Sequence, residues 1–140
     1  MSLKKLLPVM CALAGLGLIV FVSLSGAADE PVKKPEPKSI PIDLSATDYV
    51  RLLGGPPQTV TMHSGLVTLM PGKSVGTHNT KNYEEVLVVL EGSGKFVVTG
   101  GPELRLEAHS MAYCPPRTEH NVTNTGETPL RYVYIVANAE

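Results

Sequence analysis

Punctuation by glycine and proline constrains this chain more than any other feature. Ten of its 13 glycines and seven of its 12 prolines fall between residues 54 and 129. They gather at Gly54-Gly55-Pro56-Pro57, Pro71-Gly72, Gly92-Ser93-Gly94, Gly100-Gly101-Pro102 and Pro115-Pro116, and Thr125-Gly126 adds a further turn. Each cluster marks a turn, because glycine admits positive φ and proline locks φ in the negative range. The segments left between them are short and rich in β-branched residues. Thr59 to Met70 (bent at Gly65), Val86 to Leu90, Lys95 to Thr99, Glu103 to Leu106, Met111 to Cys114 and Arg131 to Val136 read as strands. Val86 to Leu90 is an unbroken apolar run, the pattern of a strand buried on both faces. Only Asp43 to Leu53 suggests a helical turn, with Ser45 as its cap. Many short strands in 140 residues imply one all-β domain: a sandwich, barrel or jelly roll.

The first residues have a different character. Lys4 and Lys5 precede an apolar run from Leu6 to Leu24, which ends in the small residues Ser25, Gly26, Ala27 and Ala28. That order is the pattern of a secretory signal, with cleavage expected after Ala28. The run is long for a cleaved signal and close to the roughly 20 residues that span a bilayer, so an uncleaved membrane anchor is the alternative. Cys11 lies inside the run behind Met10, which argues against lipidation. Residues 29–41 hold four prolines and six charges, too little apolar surface to fold, and read as a linker. The expected organisation is a signal or anchor at 1–28, a linker at 29–41 and a folded domain at 42–140. The expected location is outside the cytoplasm, either in the periplasm or extracellular, or else tethered to the membrane through residues 6–24.

Charge and cysteine content exclude several classes. Twelve Lys and Arg against 13 Asp and Glu give a net charge of −1, with no basic aromatic stripe, so no nucleic-acid partner is expected. The two cysteines cannot form a disulfide scaffold, and Cys114 alone remains if residues 1–28 are removed. Serine–histidine–aspartate and phosphate-loop patterns are absent.

The chemistry gathers at two places. Gly72 is followed after five residues by His78, then by Thr80, after four more by Glu85, and after six more by Gly92. His78 and Thr80 share a face if the chain is extended, and Glu85 opens the next strand. The second place is Pro115-Pro116-Arg117-Thr118-Glu119-His120, with Asn124 beyond it. The spacing of Gly72, His78, Thr80, Glu85 and Gly92 resembles the first motif of the cupin superfamily. His109, Pro115, Arg117, His120 and Asn124 align with the second. Thr80 stands where that family has a second histidine, and His109 and Arg117 stand where it has glycines.

The resemblance implies a double-stranded β-helix, or jelly-roll barrel, with a pocket inside it. It also implies a divalent metal ion (Fe, Mn, Zn or similar) held by His78, Glu85 and His120. Two histidines and a carboxylate suit a non-haem Fe(II) centre or a catalytic zinc with a bound water. Thr80 offers only a neutral hydroxyl, a poor ligand. A metal-free cupin lined by the same residues is therefore the competing expectation. Thr80, His63 and Asn124 are further candidates for lining or supporting the pocket, with His63 a proton donor or acceptor if it points inward. His109 is expected in a surface turn, Glu84 in solvent, and Cys114 as an inert buried thiol. The implied functions are dioxygenase-like or isomerase-like chemistry on a small molecule, or non-catalytic binding of one. A homodimer is expected from the resemblance alone.

Overall fold

The computed structural model describes residues 34–140. The signal or anchor expected at 1–28 and the start of the expected linker lie outside the described residues. Nine strands follow in order: β1 (Val50–Gly54), β2 (His63–Leu69), β3 (His78–Asn79), β4 (Tyr83–Glu91), β5 (Ser93–Val98), β6 (Glu103–Glu107), β7 (Met111–Cys114), β8 (Glu119–Asn124) and β9 (Leu130–Asn138). They form two sheets with antiparallel pairings throughout. The five-stranded sheet runs β1-β2-β9-β4-β7 and the four-stranded sheet β3-β8-β5-β6. No helix among the described residues is long and apolar enough to cross a membrane.

Alternation builds the core. Leu87 and Val89 of β4, Tyr132 of β9, Phe96 of β5, Leu106 of β6, and Ala112 and Cys114 of β7 pack as one buried cluster with Leu69, Val122 and Leu130. The apolar run Val86 to Leu90 is not buried on both faces, contrary to its composition. Leu87 and Val89 point inward, while Val86, Val88 and Leu90 stay partly exposed. The strand belongs to an antiparallel sheet, which covers one face with the barrel interior and leaves the other outside.

Three local expectations are corrected. No helical turn forms at Asp43 to Leu53. Instead the Asp43 carboxylate accepts hydrogen bonds from the Ser45 amide at 2.9 Å and the Ser45 hydroxyl at 2.6 Å, closing a turn. Those bonds hold the Asp43 carboxyl below its ordinary value. The strand expected from Thr59 begins only at His63, because Gln58 and Thr59 both donate to the Gly55 carbonyl and the Thr59 hydroxyl donates to Met62 O at 2.6 Å. Gly65 does not bend β2. The irregularity lies opposite, in β1, where the register slips between Arg51 and Leu53.

His109 and Arg117, which replace motif glycines, occupy left-handed backbone at φ 65° and 57°. The turns kept the conformation that glycine favours and accepted its cost in an L-residue.

Candidate metal centre

Register assembles the centre. His78 of β3 is the direct partner of His120 of β8, so the two imidazoles meet on one sheet. Their ring centroids are 4.2 Å apart. Glu85 of β4 comes from the opposite sheet, placed by its pairing with Cys114 and Val136. Its Oε2 lies 3.3 Å from His120 Nε2. One ligand atom from each of His78, Glu85 and His120 lies within 4.8 Å of the others. His120 is fully buried, Glu85 nearly so, and His78 exposed at the mouth.

Hydrogen bonds orient both rings. His78 Nδ1 sits 3.0 Å from the Gly76 carbonyl, which can only accept, so Nδ1 carries the proton and Nε2 is left as the lone-pair atom. His120 Nδ1 faces the Thr118 carbonyl and the Cys114 sulfur, each at 3.4 Å. The same argument gives His120 a lone pair on Nε2. That atom is buried and has no hydrogen-bond partner. A carboxylate oxygen stands beside it instead, an acceptor next to an acceptor. Two ligands bonded to one ion at about 2.1 Å stand roughly 3.0–3.4 Å apart, and the 3.3 Å gap fits that spacing. The donor set of two nitrogens and one oxygen therefore fits a divalent cation. Behind it, Phe96 stacks on His120 with centroids 4.6 Å apart, an apolar backing that fixes the ring.

The other candidates divide. Thr80 lines the cavity, but its hydroxyl is engaged: it donates to Pro115 O at 3.0 Å and accepts from the Thr118 amide at 2.9 Å. The residue at the second-histidine position thus braces the turn that delivers His120. His63 lies against Tyr83 in an edge-to-face contact at 6.2 Å and covers Gly55, where an added Cβ would stand 2.3 Å from its ring. Asn124 is fully buried. Its Nδ2 donates to Leu69 O and Thr128 O, and its Oδ1 accepts from the Gly126 amide. It latches the turn before β9, about 13 Å along β8 from His120. His109 is exposed in a turn, and the exposed Glu84 accepts from the Tyr113 hydroxyl. Cys114 is buried, and burial pushes its thiol up to about 11, which suits an inert thiol rather than a nucleophile.

Sequence comparison now decides the family. The cupin domain profile matches residues 65–136, half of the chain and every strand from β3 to β8. The chain is a cupin. No curated protein sequence matches it. Solved structures do. An RmlC-like cupin family protein with a double-stranded β-helix fold from Methanocaldococcus jannaschii superposes with a TM-score of 0.61 at 15% identity, covering 74% of this chain and 92% of that one. A predicted oxalate decarboxylase from Thermotoga maritima gives 0.53 at 19% identity, covering 71% and 99%. The cupin domain of Schizosaccharomyces pombe Cnp3 gives 0.58 at 18% identity, with 64% of this cupin aligned to 63% of that chain. At these identities the likeness is one of fold.

Of the tyrosines, only Tyr83 stands out in the sequence, as a neighbour of Glu85. Tyr49, Tyr83, Tyr132 and Tyr134 all line the cavity beside two of the candidate ligands, His78 and Glu85. The alternation of Arg131-Tyr132-Val133-Tyr134 carried the signal, since residues two apart share a face.

Proposed function

We propose that this cupin holds one divalent metal ion through His78, Glu85 and His120 and binds a small molecule beside it. The observation that carries this reading is His120 Nε2: buried, without a hydrogen-bond partner, and beside a carboxylate oxygen 3.3 Å away. A buried acceptor facing a buried acceptor is costly unless a cation or proton lies between them. A bound ion would supply Lewis acidity or an open position for an oxygen ligand. The protein's own contribution is positional. The Gly76 and Thr118 carbonyls hold the imidazoles with Nε2 forward, and Phe96 excludes water from behind.

The test is metal analysis of the purified protein, with His78→Ala and His120→Ala alongside. About one ion per chain in the wild type, lost in both variants, supports the reading. A wild type that takes up no Fe(II), Mn(II) or Zn(II) refutes it. Dioxygenase-like or isomerase-like turnover is the finer proposal, tested by substrate screening of the loaded protein. We further propose that the cupin works outside the cytoplasm, as the apolar run 6–24 implies, and the mass of the exported protein tells cleavage from anchoring.

A further inference from the structure

The cavity beside the candidate ligands has a second character that metal binding does not require. It encloses about 480 Å³, within the range of small-molecule sites. Four of the five tyrosines of the chain line it, together with four valines. Its only charged side chains, histidines aside, are Glu85 and Lys81.

The rings form a built wall. Tyr49 and Tyr134 stack at 6.2 Å with planes 17° apart, and their hydroxyls are 2.8 Å from each other. The pair rests on Gly65 of β2. A Cβ there would stand 2.5 Å from Tyr49 Cε2 and 2.8 Å from Tyr134 Cε1. A glycine inside a strand weakens it and marks a close approach. Here the approach is that of two aromatic rings packed closely over the strand. Tyr132 is buried next along β9, and burial holds its hydroxyl and that of Tyr134 protonated well above the usual range, so both remain neutral.

We propose that this cavity binds a small aromatic acid, a single-ring aryl or arylalkyl carboxylate. The ring lies against the Tyr49–Tyr134 wall, and the carboxylate turns to the His78–Glu85–His120 cluster and Lys81. The carboxylate end rests on the metal reading above, whereas the ring end stands on the wall alone. A divalent ion beside one Glu and one Lys leaves the site cationic, which selects an anion. A small dicarboxylate such as oxalate satisfies that charge but leaves the tyrosine and valine surface wet. An aromatic acid satisfies both ends, and offset or edge stacking favours a ring over a saturated group of equal size.

The test is calorimetric titration of the full-length protein, zinc-loaded and zinc-free, with phenylacetate, cyclohexylacetate and oxalate. The zinc-loaded protein is expected to prefer phenylacetate by about five-fold over cyclohexylacetate and by about ten-fold or more over oxalate. Gly65→Ala and Tyr49→Ala are each expected to weaken phenylacetate about ten-fold with zinc stoichiometry unchanged. Tyr49 is half exposed, so its variant folds even if Gly65→Ala does not. Oxalate binding as tightly as phenylacetate overturns the proposal, as does full phenylacetate affinity in the Tyr49 variant. Should the wild type take up no Fe(II), Mn(II) or Zn(II), the metal reading fails by itself. Phenylacetate binding to that protein, weakened by Tyr49→Ala, then still supports the aromatic wall, and its absence overturns it.

Discussion

Replacing Thr80 by valine separates two views of the residue that stands in place of a ligand. Valine keeps the shape and removes the hydroxyl. That hydroxyl donates to Pro115 O at 3.0 Å and accepts from the Thr118 amide at 2.9 Å, at a position only 7% exposed. Both partners lose their bond, and each unsatisfied buried group costs about 1–3 kcal/mol. Because the Pro115–Thr118 turn is partly open to water, the lower half of that range applies, and the sum is about 2–4 kcal/mol. For a domain of this size each kcal/mol moves Tm by roughly 4–8 °C, so a fall of roughly 8–30 °C is expected. Thermal unfolding by circular dichroism reads it, and Thr80→Ser, which keeps the hydroxyl, should recover most of the loss. A cost below about 0.5 kcal/mol would refute the view that Thr80 braces the turn carrying His120.

Four more outcomes follow from the same geometry. Asn124→Ala removes a buried amide with three partners and is expected to cost about 3 kcal/mol or more in urea unfolding while leaving metal stoichiometry intact, since the side chain is committed to the turn before β9. His109→Gly relieves a left-handed residue at φ 65° and should stabilise by about 0.5–1 kcal/mol. Arg117→Gly should gain less, because it also gives up the exposed ion pair with Glu140. Stability should fall as pH rises beyond the ordinary tyrosine value of 10.0, because burial holds Tyr132 and Tyr134 protonated in the folded state. Above that pH the unfolded chain releases protons that the folded one keeps, and below it neither group contributes. Urea midpoints measured across that range check the sign, and Tyr132→Phe should flatten the slope.

The turns and strands were legible because glycine and proline report backbone geometry directly. Met111 to Cys114 begins and ends as composition indicates. The metal candidates were legible through fixed spacing, which the pairing of His78 with His120 converts into contact. Elsewhere the sequence was ambiguous for physical reasons. Ser45 and Asp43 are both good capping residues, and only the three-dimensional turn selects the Asp43 carboxylate. The run Val86 to Leu90 does not disclose which of its faces meets the interior. Asn124 lies close to His120 in sequence, yet strand geometry carries it away from the cavity at about 3.3 Å per residue. The tyrosine wall brings Tyr49, just before β1, together with β2 and β9, elements far apart in the chain, so the alternation in β9 discloses only one side of it.

The position of β9 bears on how the molecule comes into being. It is the last made of the strands among the described residues, yet it lies in the middle of its sheet, paired with β2 on one side and β4 on the other. The four-stranded sheet has all its strands once Asn124 has been synthesised. The five-stranded sheet at that moment is two separate strand pairs, β1-β2 and β4-β7, with no strand to join them. Leu87 and Val89 wait uncovered until Tyr132 and Tyr134 arrive opposite them. Closing such distant pairings is slow compared with local folding. A nascent chain released or cut before residue 130 is therefore left with an apolar half-barrel and two open sheet edges, the kind of surface that chaperones bind and aggregates recruit.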